Sequence, residues 1–399
     1  MSKRYNLFSV FGIESEYMIV EKSSLKNQPI ADKVLQELNK GVICNEVDLG
    51  KISCSNELVN HLLEIKSTHP EKSINNLDAT YHNSVMEINE VLNKWNCCLM
   101  PTSMNPWFNP LNETVLWPHD HNEIYNLYDQ IFNCKGHGWS NIQSVHLNLP
   151  FQNETEFVKL HSAIRIILPL IPFFAASSPF YDSKKQSLAD NRLAFYELNQ
   201  AKVPSIIGNI IPENVKSFSE YDRILEKIYK DISPYDPNKI LQNSWLNSRA
   251  AIPKFDVFAI EIRLMDIQES PYMDFTLINL FVEMIKFIIE QDSLSKNFDM
   301  FTDNYLRTIY DQSKEFTPIS DLKNYFNLFD IKTKDVTFNN LRSQIIDKFL
   351  HLIAAKYHKG LDILKCHGSL SQRLVETELT VDKYKKLISC LNNNIPYEN

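Results

Sequence analysis

The stretch FGIESEYMIV, residues 11–20, sets two glutamates one residue apart in an otherwise apolar run. Side chains alternate across a β-strand, so Ile13, Ser15, Tyr17 and Ile19 take one face while Glu14 and Glu16 project together from the other. At about 7 Å, in a medium of effective dielectric about 20, Coulomb's law puts their repulsion at about 2.4 kcal/mol. Bulk water erases that cost and a sheltered site does not. The face is therefore either wet or opposed by something positive.

Three other stretches raise the same question. In QSVHLNLP, 143–150, Val145, Leu147 and Leu149 share a face, and Ser144, His146 and Asn148 share the other. In FAIEIRLMD, 258–266, Glu261 and Arg263 project opposite Ile260, Ile262 and Leu264. In SNELVNHLLEIKST, 55–68, Glu64 projects away from Leu63 and Ile65. A half-solvated antiparallel sheet gives the same alternation. A solvent face is usually stocked with Lys, Thr and Glu, however, whereas these positions carry glutamates, one histidine and one arginine. If the faces converge, Glu14, Glu16, Glu64, His146 and Glu261 form an oxygen-rich cluster with one imidazole. Such donors suit Mg²⁺ or Mn²⁺ rather than zinc. More carboxylates than one ion needs imply more than one ion, with positions left for a phosphate-bearing substrate, and so ATP chemistry. Glu57 lies seven residues before Glu64, on the other face of an unbroken strand, and joins the cluster only through a bulge or a helical turn.

The 399 residues are 44% hydrophobic and 23% charged, the composition of a folded globular protein. A net charge of -8 offers no electrostatic footprint for nucleic acid. Seven cysteines without a C-x-x-C pair, and no cationic-then-apolar leader, predict thiols in a reducing, cytoplasmic setting. The longest apolar run, Ile166 to Ala176, is interrupted by Pro169 and Pro172 and falls short of the roughly 20 residues of a bilayer span, so no membrane partner is expected.

Periodicity predicts a strand at 7–20, a helix over Ile30–Asn39, a strand ending near Thr68, and a helix from Ser73 to Trp95 striped by Tyr81, Val85, Ile88 and Leu92. A Pro- and Asn-rich loop at 101–110 precedes the strand at 144–149. Asn153 with Glu156 predicts a capping box opening a helix to about Ala176, bent by its prolines. After the strand at 258–266, amphipathic helices follow from Asp274, among them 275–291 and 339–358. The expectation is a single catalytic unit over 1–399, with an α+β body at 1–272 and a helical C-terminal part at 273–399.

At these residues the sequence resembles the glutamate–cysteine ligase family, carboxylate–amine ligases with a glutamine synthetase-like fold. The match is carried by GIESE at 12–16, ELVNHLLEIKST at 57–68, SVHLNLP at 144–150 and IEIRLMDIQ at 260–268. The segment ASSPFYDSKKQSLADNR at 176–192 also looks like the family's S-P-F segment followed by an arginine. Order and rough spacing agree over about 1–270. The resemblance implies a curved, mainly antiparallel, funnel-like sheet with outer helices, whose inner face binds ATP and Mg²⁺ or Mn²⁺. It carries the metal ligands onto Glu14, Glu16, Glu57, Glu64, His146 and Glu261, and contacts to phosphate and substrate carboxylate onto Arg263, Arg249 and Arg192. Arg263, Glu14 and Glu261 are the residues on which catalysis would rest. One departure is Ser144, preceded by the bulkier Gln143, where the family often has a small residue before V-H.

The implied reaction is ATP-dependent amide formation through an acyl phosphate, most simply from glutamate and cysteine, as in glutathione biosynthesis. The same chemistry on another acid and amine, or on a peptide, remains open, as do a phosphotransferase and a non-catalytic binder of the same fold. Other candidates have plainer readings. His119 and His121, with His137 nearby, are expected on the surface or in loops rather than at zinc. Cys97, Cys98 and Cys366 are expected as buried thiols, and Asp266 as a brace for the turn after its strand.

Overall fold

The computed structural model describes residues 3–291, 300–316, 325, 327–331 and 338–398. The rest of the expected helical C-terminal part, 292–299, 317–324, 326, 332–337 and 399, lies outside the described residues.

The acidic stretch forms β1, Gly12–Glu21, the centre of an eight-stranded antiparallel sheet. Its companions are β2 (Glu46–Asp48), β3 (Ile52–Asn56), β4 (Leu62–Ser67), β5 (Cys97–Met100), β6 (Ser144–Pro150), β7 (Ala251–Lys254) and β8 (Ala259–Asp266). The order is β2-β3-β4-β1-β6-β8-β7, with β5 pairing the far end of β1. The sheet is open, and β7 closes one edge with Pro253, a residue that cannot donate to a further strand.

One element differs from the expected pattern in a way that matters. The stretch 52–67 is not one strand but a hairpin, with Ser55 opposite Glu64 and Asn56 opposite Leu63. The chain reverses at residues 57–61, and that reversal, rather than a bulge, frees Glu57 from strand alternation. Three short strands, β2, β5 and β7, escape the sequence pattern because they are three or four residues long and lack clear alternation.

The outer face of the sheet is apolar and covered by helices. α1 (Ala31–Leu38) and α2 (Leu77–Leu92) flank the β1–β4 side, and α3 (Glu154–Ile167) and α4 (Pro271–Glu290) cover the β6–β8 side. Val145 and Leu147 of β6 and Ile262 of β8 line one small interior space with Ile164 of α3 and Phe281 and Ile285 of α4. The Asn153 side chain caps α3, accepting from the Glu156 N–H at 3.0 Å, while the Glu156 carboxylate reaches back to the Gln152 N–H at 2.8 Å. The prolines break the helix more sharply than a bend: a 3₁₀ turn at Leu168–Leu170 separates α3 from a short helix at Ile171–Ala175. Taken together, residues 154–175 are long and apolar enough to cross a membrane, but 89% of the window is buried against the rest of the fold, as a core helix should be. α4 begins at Pro271, three residues before the expected change of character, and no strand follows it among the described residues. Cys97 and Cys98 are buried as expected, whereas Cys366 is exposed, because the end of its helix faces solvent.

Candidate active site

Antiparallel register turns four separated motifs into three adjacent rungs on the inner face, since residues directly opposite each other share a face. One rung runs Ser55, Glu64, Glu16. The next runs Ser53, Lys66, Glu14, His146. The third runs Gly12, Asn148, Glu261, Ile252. An irregularity in the β8–β6 ladder between Ile262 and Met265 leaves Arg263 outside the regular pairing, beside Glu261.

The side chains meet. One donor atom each from Glu14, His146 and Glu261 lies within 4.8 Å of the others. His146 Nδ1 is 3.2 Å from Glu14 Oε2 and 3.1 Å from Glu261 Oε1, and its Nε2 is 2.8 Å from the Ser144 hydroxyl. Glu16 accepts the Ser144 N–H at 2.8 Å and the Ser144 hydroxyl at 2.9 Å. The Asn148 amide donates to Glu14 at 2.9 Å, and Arg263 Nε donates to Glu261 at 2.9 Å. Glu64 accepts from Ser55 and pairs with Lys66, each at 3.1 Å.

Two cations in this site escaped the motif reading. Lys66, on the face of Glu64, bridges to Glu46 at 2.9 Å. Lys254 of β7 contacts Glu14 at 3.2 Å and also Glu261. The Glu64–Lys66 spacing was legible as an i, i+2 pair in a strand. Lys254 was not, because β7 is four residues long and contains a proline.

The arginines divide. Arg263 faces the cluster, and among the described residues its side chain's partner is Glu261. Arg249 is buried in a different neighbourhood, where its Nη2 donates to Glu213 at 2.7 Å and its Nη1 to the Ser205 carbonyl at 3.1 Å. Arg192 is buried against Asp266, with its Nη2 on the Leu264 carbonyl at 2.7 Å. The structure thus brings Arg263 to the carboxylates and commits the other two to local acids. Asp266 accepts from the Ser177 N–H at 2.8 Å and the Ser178 hydroxyl at 3.0 Å, so it does brace the chain at the end of β8. His119 pairs with Asp32 and His137 with Asp182, both away from the cluster.

The site's electrostatics divide the acids into two groups. Burial and Glu261 push Glu14 up, but the hydrogen bond from His146 and the charge of Lys254 outweigh them and hold it at about 2. Burial likewise opposes ionisation of Glu261, yet Arg263, His146 and Lys254 keep it well below the carboxylate range. Burial, then Glu64 and Glu16, drive Glu57 well above that range, and burial with Glu14 raises Glu64 against Lys66. His146 is raised despite burial, by its hydrogen bonds to Glu14 and Glu261.

These donors fit a hard divalent cation: carboxylate oxygens with one imidazole, crowded enough that burial and neighbouring acids raise Glu57 and Glu64. Glu14, His146 and Glu261 would form one cation position, with Glu16, Glu57 and Glu64 next to it. Ligands must shed protons to bind, so the raised Glu57, Glu64 and His146 make cation binding proton-releasing. Apparent affinity rises with pH and falls as pH drops through the raised values. Titration calorimetry with Mn²⁺ in two buffers of different ionisation enthalpy should show net proton release that grows as pH is lowered, and no release at any pH would contradict these shifts.

A cavity of about 910 Å³ opens beside Glu14, Lys66 and Lys254, with Trp245, Phe255 and Val257 on its apolar side. It falls within the usual range for small-molecule clefts, about 300–1,000 Å³.

Comparison with known proteins agrees with this architecture. The sequence pattern of the family described as glutamate-cysteine ligase family 2 matches residues 10–317. A protein of Archaeoglobus fulgidus, described as uncharacterized, is 36% identical over 268 residues, 67% of this chain and 72% of its own length. A crystal structure of a glutamate–cysteine ligase from Francisella tularensis in complex with AMP superposes with a TM-score of 0.58 at 14% identity, over 99% of this chain and 90% of that one. At that identity the likeness concerns the fold.

Proposed function

The chain belongs to glutamate-cysteine ligase family 2, and on that premise we propose that it is an ATP-dependent carboxylate–amine ligase joining glutamate to cysteine through an acyl phosphate. The observation that carries the reading is the convergence of Glu14, His146 and Glu261 within 4.8 Å, beside a cavity large enough for a nucleotide.

Amide formation from a carboxylate and an amine is uphill in water, so the carboxylate must first be activated. A substrate carboxylate oxygen attacks the γ-phosphorus of ATP, the bond to the bridging oxygen breaks, and ADP leaves. The amine nitrogen then attacks the acyl carbon, phosphate departs, and the amine's proton goes to solvent. Phosphoryl transfer depends on positioning and on neutralising charge. Mg²⁺ or Mn²⁺, held by Glu14, Glu16, Glu57, Glu64, His146 and Glu261, would supply most of that neutralisation. Arg263 adds a fixed guanidinium. Glu261 holds its Nε at 2.9 Å, and its Nη groups would pair with phosphoryl oxygens. Ser144 orients Glu16 and His146, and Asn148 orients Glu14, through their hydrogen bonds, as outer partners of metal ligands do. With an α-amino pKa of about 7.7–8.0, roughly a tenth of the amine is neutral at pH 7, so no strong base is required.

The test is ADP formation with glutamate and cysteine supplied singly and together, with mass spectrometry of the product. Turnover that needs both, and a product of γ-glutamylcysteine mass, is the expected result. Turnover with one acceptor and a stable phosphorylated product would identify a phosphotransferase instead.

A further inference from the structure

Lys254 stands where a cation position needs to be clear. Its ammonium contacts both Glu14 and Glu261, two of the three side chains whose donor atoms converge within 4.8 Å. An ammonium and a divalent cation repel at such separations, so both cannot sit between the same two carboxylates. The lysine has somewhere to go. It lies on the edge strand, its side chain is 29% exposed, and it lines the same 910 Å³ cavity as Lys66 and Glu14. A flexible four-carbon stem lets its compact charge move between partners, as a planar guanidinium held in a fork would not.

Resting on the ligase reading above, we propose that Lys254 is a displaceable counter-ion. In the ion-free chain it neutralises Glu14 and Glu261. When a divalent cation enters, Lys254 swings into the cavity and takes the anionic phosphates of a nucleotide there. Cation and nucleotide then bind cooperatively, because each favours the lysine position that the other needs. No covalent step is involved. The exchange moves one charge from a carboxylate pair to a phosphate.

The test is Mn²⁺ binding to the full chain, followed by the electron paramagnetic resonance of the free ion, with and without ADP, for wild type and Lys254→Met. In wild type, ADP should tighten Mn²⁺ binding by about tenfold, a typical coupling between sites. In Lys254→Met, Mn²⁺ alone should bind about tenfold tighter than to wild type, and the ADP effect should shrink to the part that direct contact between the ion and the phosphates supplies. Lys254→Gln, which can still hydrogen-bond the carboxylates, carries the same comparison if the methionine variant loses its native circular dichroism. Mn²⁺ affinity that is unchanged or weaker in the variant without ADP, or an undiminished ADP effect, overturns the role of Lys254 and leaves the ligase reading standing. A wild type that binds no ADP overturns both.

Discussion

Glu261→Gln is expected to lower ATP turnover by about three orders of magnitude, the scale on which a preorganised electrostatic contact acts in a transition state. The residue is 1% exposed and touches His146, Arg263 and Lys254 at once. An amide keeps its shape but removes the charge that offsets three cations and ligates the ion. Steady-state ADP release measures the effect, with Mn²⁺ affinity as the second readout, and a loss smaller than about tenfold would remove Glu261 from the proposed ligand set. The substitution also has a pH signature in the ion-free chain. Because the folded pKa of Glu261 lies well below the ordinary carboxylate value, its contribution to stability is present above the unfolded pKa of about 4.3 and is lost as pH falls. Wild type should therefore be more stable than Glu261→Gln at neutral pH, and the gap should close in acid.

Arg192→Met should destabilise the fold by about 3–5 kcal/mol, the usual result of removing one partner of a buried ion pair. Asp266 is fully buried and would lose its guanidinium, with Asp190 close by to repel the charge left behind. The strand end that carries Arg263 would also lose its support, since Arg192 binds the carbonyl of Leu264. Urea unfolding gives the stability difference. A change below about 1 kcal/mol, within the range of exposed pairs, would show that the pair contributes little. Paired with unaltered ADP and glutamate affinities, the expected loss assigns Arg192 to the scaffold rather than to the substrate.

Alternation in strands was the legible signal. Glu14, Glu16, Glu64, His146 and Glu261 sit on the inner face where the period of two put them, because one-face burial fixes register and each strand is long enough to show its pattern. The capping residue Asn153 and the helical stripe of α2 were legible for the same reason: their physics is local. Glu57 was ambiguous. Its face depends on whether the chain reverses after Asn56, and a hairpin with no Gly or Pro in its turn gives little warning. Lys254 was invisible, because its partners are 240 and 7 residues away, and only pairing β7 to β8 puts it among them. Arginines were the hardest to place, since a long side chain goes to whichever buried acid the packing supplies. Arg249 found Glu213, Arg192 found Asp266 and Arg263 found Glu261.

The sequence by itself determined which side chains share a face of each strand, and so the chemical kind of the site, because side-chain alternation and the need to bury one face act within a few residues. Tertiary structure alone decided which faces meet, which cations oppose the acids, and where the cavity opens. Those outcomes depend on pairing between strands far apart in the chain, and no local periodicity encodes it.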